Sequence, residues 1–192
     1  AVLAMYQDED ANMWIGTYDG LHLYNGKNTF VFRMELDNEF SLCSNIVLEI
    51  APAEKGYLWV ATSLGINKFS LRERRVVESY MQYVDVENIA SDSEGNTVLF
   101  SGEDFITCYR PGRAFFEDVY IPGVRAAEIV TVWSEAPRVF CTLGRDGELV
   151  RYRLNDGEGK SLVRVSGRQL SARPVRKAFF NGGRLHFVDT SG

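Results

Sequence analysis

Histidine and cysteine are scarce in this 192-residue chain: His22 and His186 are the only histidines, and Cys43, Cys108 and Cys141 the only cysteines. That scarcity excludes much. A hydrolytic triad needs a placed histidine beside a nucleophile motif, and neither histidine has one nearby. An odd number of widely spaced cysteines offers no disulfide framework and no zinc-ligand spacing. No apolar run approaches the roughly 18 residues of a membrane span, and no signal peptide opens the chain. No nucleic-acid-binding module is present, because the basic residues are scattered over alternating segments. Asp8-x-Asp10-x-Asn12 resembles the start of a calcium loop. Met13 stands where such a loop needs glycine and Asp19 where it needs glutamate, so the reading is a polar turn. Asp92-x-Glu94-x-Asn96 repeats that turn. No catalytic residue, metal site or cofactor is expected.

What is present is a globular composition, 45% hydrophobic and 24% charged, with a net charge of −5. The charge is uneven. Residues 1–144 carry 11 Lys/Arg against 21 Asp/Glu, and residues 145–192 carry 10 against 5. Variation between repeated surfaces accounts for this, with a basic patch for an acidic partner as the sharper alternative.

The chain repeats itself. MWIGTYDGLHLY, residues 13–24, returns as LWVATSLGINKF, residues 58–69, with Trp14 over Trp59, Thr17 over Thr62 and Gly20 over Gly65. Fainter echoes place Val98 and Ser101, Val139 and Thr142, and His186 on the Trp and Thr positions. Cys141 then falls where Gly16 and Ala61 stand, and a short insertion follows before Asp146-Gly147. On this alignment the Thr position recurs at intervals of 45, 39, 41 and 47 residues. Each unit holds about four short apolar segments separated by turn residues. Asp19-Gly20 is expected to centre a type I′ hairpin turn, which needs φ > 0 at both central residues. Asn67 and Ile106 are expected at the position of His22.

A period of this length with four strands per unit describes blades of a β-propeller. The expected class is all-β: a β-propeller fragment of four-stranded antiparallel blades, about four and a half blades of a larger, seven-bladed ring. The blades run over residues 1–40, 41–83, 84–123 and 124–170, with a partial fifth over 171–192. Small residues at Gly16 and Ala61 let the neighbouring blade approach. Open ends would leave strand edges and blade faces unpaired, so the isolated chain is expected to associate.

SLCSNIVLEIAPAEKGYLWVATSLGINKF and DEDANMWIGTYDGLHLYN resemble the two-component regulator propeller repeat. That repeat has a Ser-Leu-x-Ser-Asn lead-in, an aliphatic strand, a Gly-x-Leu-Trp-Ile/Val-Gly/Ala-Thr core and a closing Gly-Leu/Ile-Asn-Lys/Arg-Tyr/Phe. The later units depart from it at Val98, Val139 and His186, where Trp is lost. The resemblance implies the periplasmic sensor region of a hybrid histidine kinase of the Bacteroidetes type, an inner-membrane protein. In that setting the partners are an oligosaccharide ligand, the remaining blades and a second propeller of the same chain, and a second copy in a homodimer. The membrane would be reached only through another segment, and kinase activity would lie in another domain.

Propellers bind ligands through exposed loops. By meander topology, the turn between second and third strands shares a face with the loop between blades. Tyr18, Asp19, Asn45, Arg145 and Asp146 are the candidate ligand-binding residues, with Ser44, Glu103 and Asp104 beside them. A tyrosine can stack on a sugar ring, while aspartate, asparagine and arginine address hydroxyls. The expected role is therefore non-enzymatic sensing of a glycan-derived oligosaccharide. A propeller lyase or glycosidase, and a purely structural dimerisation module, are the alternatives.

Overall fold

The structure, a computed structural model, describes residues 1–81, 85–102, 105–113, 115–155 and 162–191. They form four four-stranded antiparallel sheets and one two-stranded sheet, with a single turn of 3-10 helix at Ala126–Glu128. The first sheet holds β1 (Val2–Gln7), β2 (Met13–Thr17), β3 (Gly20–Tyr24) and β4 (Thr29–Phe32) in chain order. The second holds β5 (Val47–Pro52), β6 (Tyr57–Thr62), β7 (Gly65–Ser70) and β8 (Arg75–Tyr80). In the third are β9 (Val86–Ser91), β10 (Thr97–Ser101), β11 (Phe105–Tyr109) and β12 (Phe116–Asp118). The fourth has β13 (Ile129–Ala136), β14 (Val139–Gly144), β15 (Glu148–Leu154) and β16 (Leu162–Gln169). β17 (Val175–Asn181) and β18 (Arg184–Asp189) make the two-stranded sheet. Simple meanders of this kind, one per repeat, are the blades of a β-propeller.

The chain divides into two compact units, Ala1–Glu87 and Asn88–Gly192. In the first, blades one and two close on Trp14, Leu21, Leu42, Val47, Ile50 and Phe69, all buried. Trp14 meets the edge of Phe69 with ring centroids 5.5 Å apart, and Phe32 packs on Phe69 at 4.9 Å. The small residue before Thr17 has the role expected of it: a Cβ on Gly16 would lie 2.7 Å from Val47 Cγ1 of the neighbouring blade. The second unit has a core between its third and fourth sheets, around Val98, Phe100, Ile129, Phe140, Val150 and Tyr152. A smaller cluster joins the fourth and fifth, where Trp133 stacks on Phe180 at 5.0 Å.

The hairpin turn differs from expectation. Thr17 pairs with Gly20, so the two turn residues are Tyr18 and Asp19, and neither has a positive φ. Gly20 instead opens β3 with φ 110°, because a side chain there would run into the carbonyl oxygen of Phe32 on β4. Gly65 repeats this at φ 147°, where a Cβ would sit 2.7 Å from the Tyr80 carbonyl oxygen. Close approach of the fourth strand demands glycine, not the turn type. The threonine before the turn also has a local reason. Thr17 Oγ1 accepts the Asp19 N–H at 2.9 Å and donates to the Gly20 carbonyl at 3.2 Å, and Thr62 Oγ1 donates to the Gly65 carbonyl at 2.8 Å.

The register of blade four also needs correction. In blades one, two and five the first strand bulges once: Val2 faces Thr17 and Ala4 Gly16, Val47 faces Thr62 and Glu49 Ala61, and Val175 faces Asp189 and Lys177 Val188. In blade four the same bulge sets Ile129 opposite Gly144 and Thr131 opposite Leu143. Gly144 therefore holds the Thr position, Leu143 the small position and Cys141 the Trp position, and no insertion exists. Gly147, with φ 81°, takes the place of Gly20, and its Cβ would meet the Ser171 carbonyl. The intervals become 45, 39, 43 and 45 residues. Val139 is thus one pleat before the Trp position, while His186 does occupy it. In blade three Ser101 pairs with Phe105, making that connection one residue longer than Tyr18-Asp19. Thr107, rather than Ile106, is then the counterpart of His22.

Candidate functional site

The first three candidate residues come together in the first unit. Asp19 projects from the tip of the β2–β3 turn and is held by a bidentate pair with Arg33, Nε to Oδ1 at 3.0 Å and Nη2 to Oδ2 at 2.6 Å. The guanidinium holds the Asp19 carboxyl below the usual aspartate range and raises Arg33. Asn45 lies beneath the turn: its carbonyl accepts the Gly20 N–H at 2.8 Å, and its Oδ1 accepts the Met34 N–H at 2.7 Å. Ser44 bonds Ser63 at 2.9 Å. Tyr18, 58% exposed, stands beside them. Asn45 is thus a brace for the inter-blade loop, while Tyr18 presents an open ring.

Arg145 and Asp146 form the corresponding turn of blade four. Arg145 is committed to local carbonyls: its N–H donates to Glu128 at 2.8 Å, its Nε to Ala127 at 3.3 Å, and its own carbonyl accepts from Val175 at 2.7 Å. Asp146 Oδ1 accepts the Glu148 N–H at 2.9 Å, which shapes the turn. Glu103 and Asp104 lie outside the described residues.

A cleft of about 530 Å3 opens within the second unit, between the segment Tyr120–Arg125 and the face of blade four. That is within the ~300–1,000 Å3 of small-molecule sites. Its buried floor comprises Ile129, Val150 and Leu162, with Thr142 and Tyr152 between them. Burial pushes the Tyr152 phenol up, against a hydrogen bond from Thr142 that lowers it. Charged groups gather on the lining: Arg125, Glu128, Asp146, Glu148 and Arg164. Arg164 Nη2 donates to Glu148 Oε1 at 2.5 Å. Tyr120, 79% exposed, stands on the lip. Of the five candidates, Asp146 alone lines this cleft.

Turn position alone does not select the other lining residues. β12 ends at Asp118, which frees Tyr120–Arg125 to form a wall, with Val124 N–H turning back to the Ile121 carbonyl at 3.1 Å. Pro122-Gly123 lies in that wall, a pair that cannot continue a central strand.

The other singled-out groups serve the scaffold. Asp8 Oδ1 accepts the N–H groups of Asp10 and Asn12 at 3.0 and 2.9 Å, and Oδ2 accepts Asn12 Nδ2 at 3.0 Å and Trp14 Nε1 at 2.8 Å. Asp92 does the same with Glu94, Asn96 and the Arg138 N–H. Both carboxylates are surrounded by donors, as a polar turn requires. His22 Nε2 lies 3.2 Å from Thr17 Oγ1, and His186 stacks on Phe179 at 4.9 Å. Burial raises the Cys108 thiol to about 11 and raises Cys141, so neither is a reactive thiolate at neutral pH. Glu49 is the unusual ionisable group: burial pushes its carboxyl to about 7, against a hydrogen bond from the Ile50 N–H.

No family model and no curated protein sequence matches this chain. Solved structures do. The extracellular domain of BT3049 from B. thetaiotaomicron, assigned to a hybrid two-component system, aligns over 100% of this chain with a TM-score of 0.68 and 19% identity. That of BT4673 from the same organism, assigned to a one-component system, aligns over 100% with a TM-score of 0.69 and 15% identity. YCF48 bound to a D1 peptide aligns over 100% at 0.65 and 11% identity. The chain spans 28% of each B. thetaiotaomicron domain and 61% of YCF48. Among the described residues, no helix is long and apolar enough to cross a membrane. At these identities the likeness establishes the fold: the chain has the four-stranded sheets of larger propeller proteins, extracellular sensor domains among them.

Proposed function

We propose that this chain is part of the extracytoplasmic sensor of a hybrid two-component system, located in the periplasm. In this reading it recognises a glycan-derived oligosaccharide and passes the signal to a histidine kinase domain elsewhere in the protein. The observation that carries the ligand-binding part is the cleft of blade four, where acids, arginines and an exposed tyrosine converge over an apolar floor. Such a mixture suits a polyhydroxylated ring, with hydroxyls hydrogen-bonded at the rim and the C–H face lying on apolar or aromatic surface. The resemblance of units one and two to the two-component regulator repeat, and the likeness of fold to the B. thetaiotaomicron domains, support the signalling part. Further blades, a second propeller and a homodimer belong to this proposal, as does the absence of turnover by these residues.

Calorimetry of the chain against oligosaccharides from plant and host glycans, with chromatography of each mixture afterwards, tests the reading. Saturable heat with unchanged oligosaccharide is the expected result. Product formation would replace it with the enzymatic reading, and a silent panel would leave only a structural module.

A further inference from the structure

The charges around the blade-four cleft bear on which saccharides it accepts. Three carboxylates line it, Glu128, Asp146 and Glu148, against two guanidiniums, Arg125 and Arg164. Arg164 is spent on Glu148 at 2.5 Å. Asp146 gives one oxygen to the turn, where the Glu148 N–H lies 2.9 Å from Oδ1. The Glu128 carboxylate, exposed at the end of the 3-10 turn, has no hydrogen-bond or ion-pair partner among the described residues. An incoming ligand therefore meets surplus acceptors. A carboxylate accepts from a sugar hydroxyl in a charge-assisted hydrogen bond, whereas a uronate or sulfate would bring a like charge against it.

We propose, resting on the sensor reading above, that this cleft takes a neutral, hydroxyl-bearing saccharide and rejects acidic sugars, with the Glu128 carboxylate as a hydrogen-bond acceptor for the ligand. Tyr120 at the lip supplies a flat surface for the C–H face of a ring. The volume of about 530 Å3 suits a short oligosaccharide or its end, not the length of a polymer. The floor of buried Ile129, Val150 and Leu162 carries no charge, which leaves the rim charges to discriminate.

The test is calorimetry of the whole chain with matched pairs of oligosaccharides, each neutral sugar beside its uronate counterpart, and with Glu128→Ala. The substitution removes only the exposed side chain, because the Glu128 backbone carbonyl still accepts the Arg145 N–H. The neutral member of at least one pair should bind more than about tenfold better than its uronate. Glu128→Ala should weaken it about tenfold, the loss of one charged hydrogen bond, with an unchanged melting temperature. Tighter binding of the uronate would overturn the neutral class and leave the saccharide reading standing. Neutral binding indifferent to Glu128→Ala would overturn the assignment to this cleft. Silence from both members of every pair would overturn the saccharide reading itself.

Discussion

Replacing Glu49 by glutamine should stabilise the chain at pH 8 and do nothing at pH 4. Glu49 sits on β5 opposite Ala61, in a cross-strand row that continues through Ile66 to Tyr80. Ala61 and Ile66 are almost wholly buried, so the carboxylate has exchanged water for an apolar row, with the Ile50 N–H as compensation. Its pKa rises to about 7 in the folded chain, against roughly 4.3 in an unfolded one. The sign follows from proton counting. Between those values the folded chain holds a proton that the unfolded chain has released, so stability falls as pH rises. It is intact below pH ~4.3 and its loss is complete above about 7. The full shift corresponds to about 3–4 kcal/mol, which residual exposure brings to about 2–3 kcal/mol. Glutamine fills the same space and never ionises. In a chain of this size the difference amounts to about 5–10 °C in melting temperature at pH 8. Scanning calorimetry of both proteins from pH 4 to 8 is the assay, and subtracting one curve from the other cancels every group they share. A wild-type-minus-variant difference that stays constant across that range would refute the reasoning.

Three further substitutions probe the scaffold. Asp8→Ala leaves the buried Trp14 indole N–H without its acceptor and should cost about 1–3 kcal/mol by urea denaturation. Burial raises the Asp8 carboxyl but the donors around it win, so its pKa lies below the usual range. The stability it confers is therefore present above pH ~3.9 and lost as pH falls through the folded value, and the variant's acid limb should be flatter. Gly16→Val would force atoms into Val47, already 2.7 Å from the nearest added carbon, and should cost about 1–3 kcal/mol; an unchanged urea midpoint would mean that blade spacing is not set there. Lys68, buried on β7, pairs with Glu54 and Glu78 and lies 5.1 Å from the Tyr57 ring centroid. Lys68→Met strands both acids and should cost about 1–3 kcal/mol at pH 7, given that Glu78 keeps some access to water. Urea denaturation of both proteins measures it, and an unchanged midpoint would mean that the buried pairs carry no net weight.

The blades were legible in the sequence because their causes are local. Trp14 fills the face between the first two blades, Thr17 and Thr62 close the turn on their own backbone, and Gly20 and Gly65 admit the fourth strand. Each cause acts within a few residues and leaves a residue type behind at a fixed offset. Blade four shows where this fails. Thr142 looked like the threonine of the motif, yet Gly144 holds that position, and the turn after it is fastened by Asp146, which accepts the Glu148 N–H. Blade four thus fastens its turn through a different backbone group from blade one, where Thr17 accepts the Asp19 N–H, and matching letters follows the wrong residue. The first-strand bulge is the more reliable register mark, and it is a property of pairing that no single residue announces.

The cleft was less legible for a different reason. Its walls come from segments up to 44 residues apart, Tyr120 and Arg164, and its existence depends on β12 stopping after three residues. Turn position singled out Arg145 and Asp146 equally. The structure separates them: Arg145 is tied to the carbonyls of Ala127 and Glu128, while Asp146, one residue on, lines the cleft. Glu128 sits where blade two has Ile46, and the carbonyl of each accepts an N–H of the facing turn, from Arg145 and from Ser63. That duty belongs to the backbone, so the exposed Glu128 side chain can change without cost to the fold. In a repeat protein, binding specificity is therefore to be sought at positions like Glu128 and Tyr120, where the repeat makes no demand on the side chain, rather than in the motif by which the repeat is recognised.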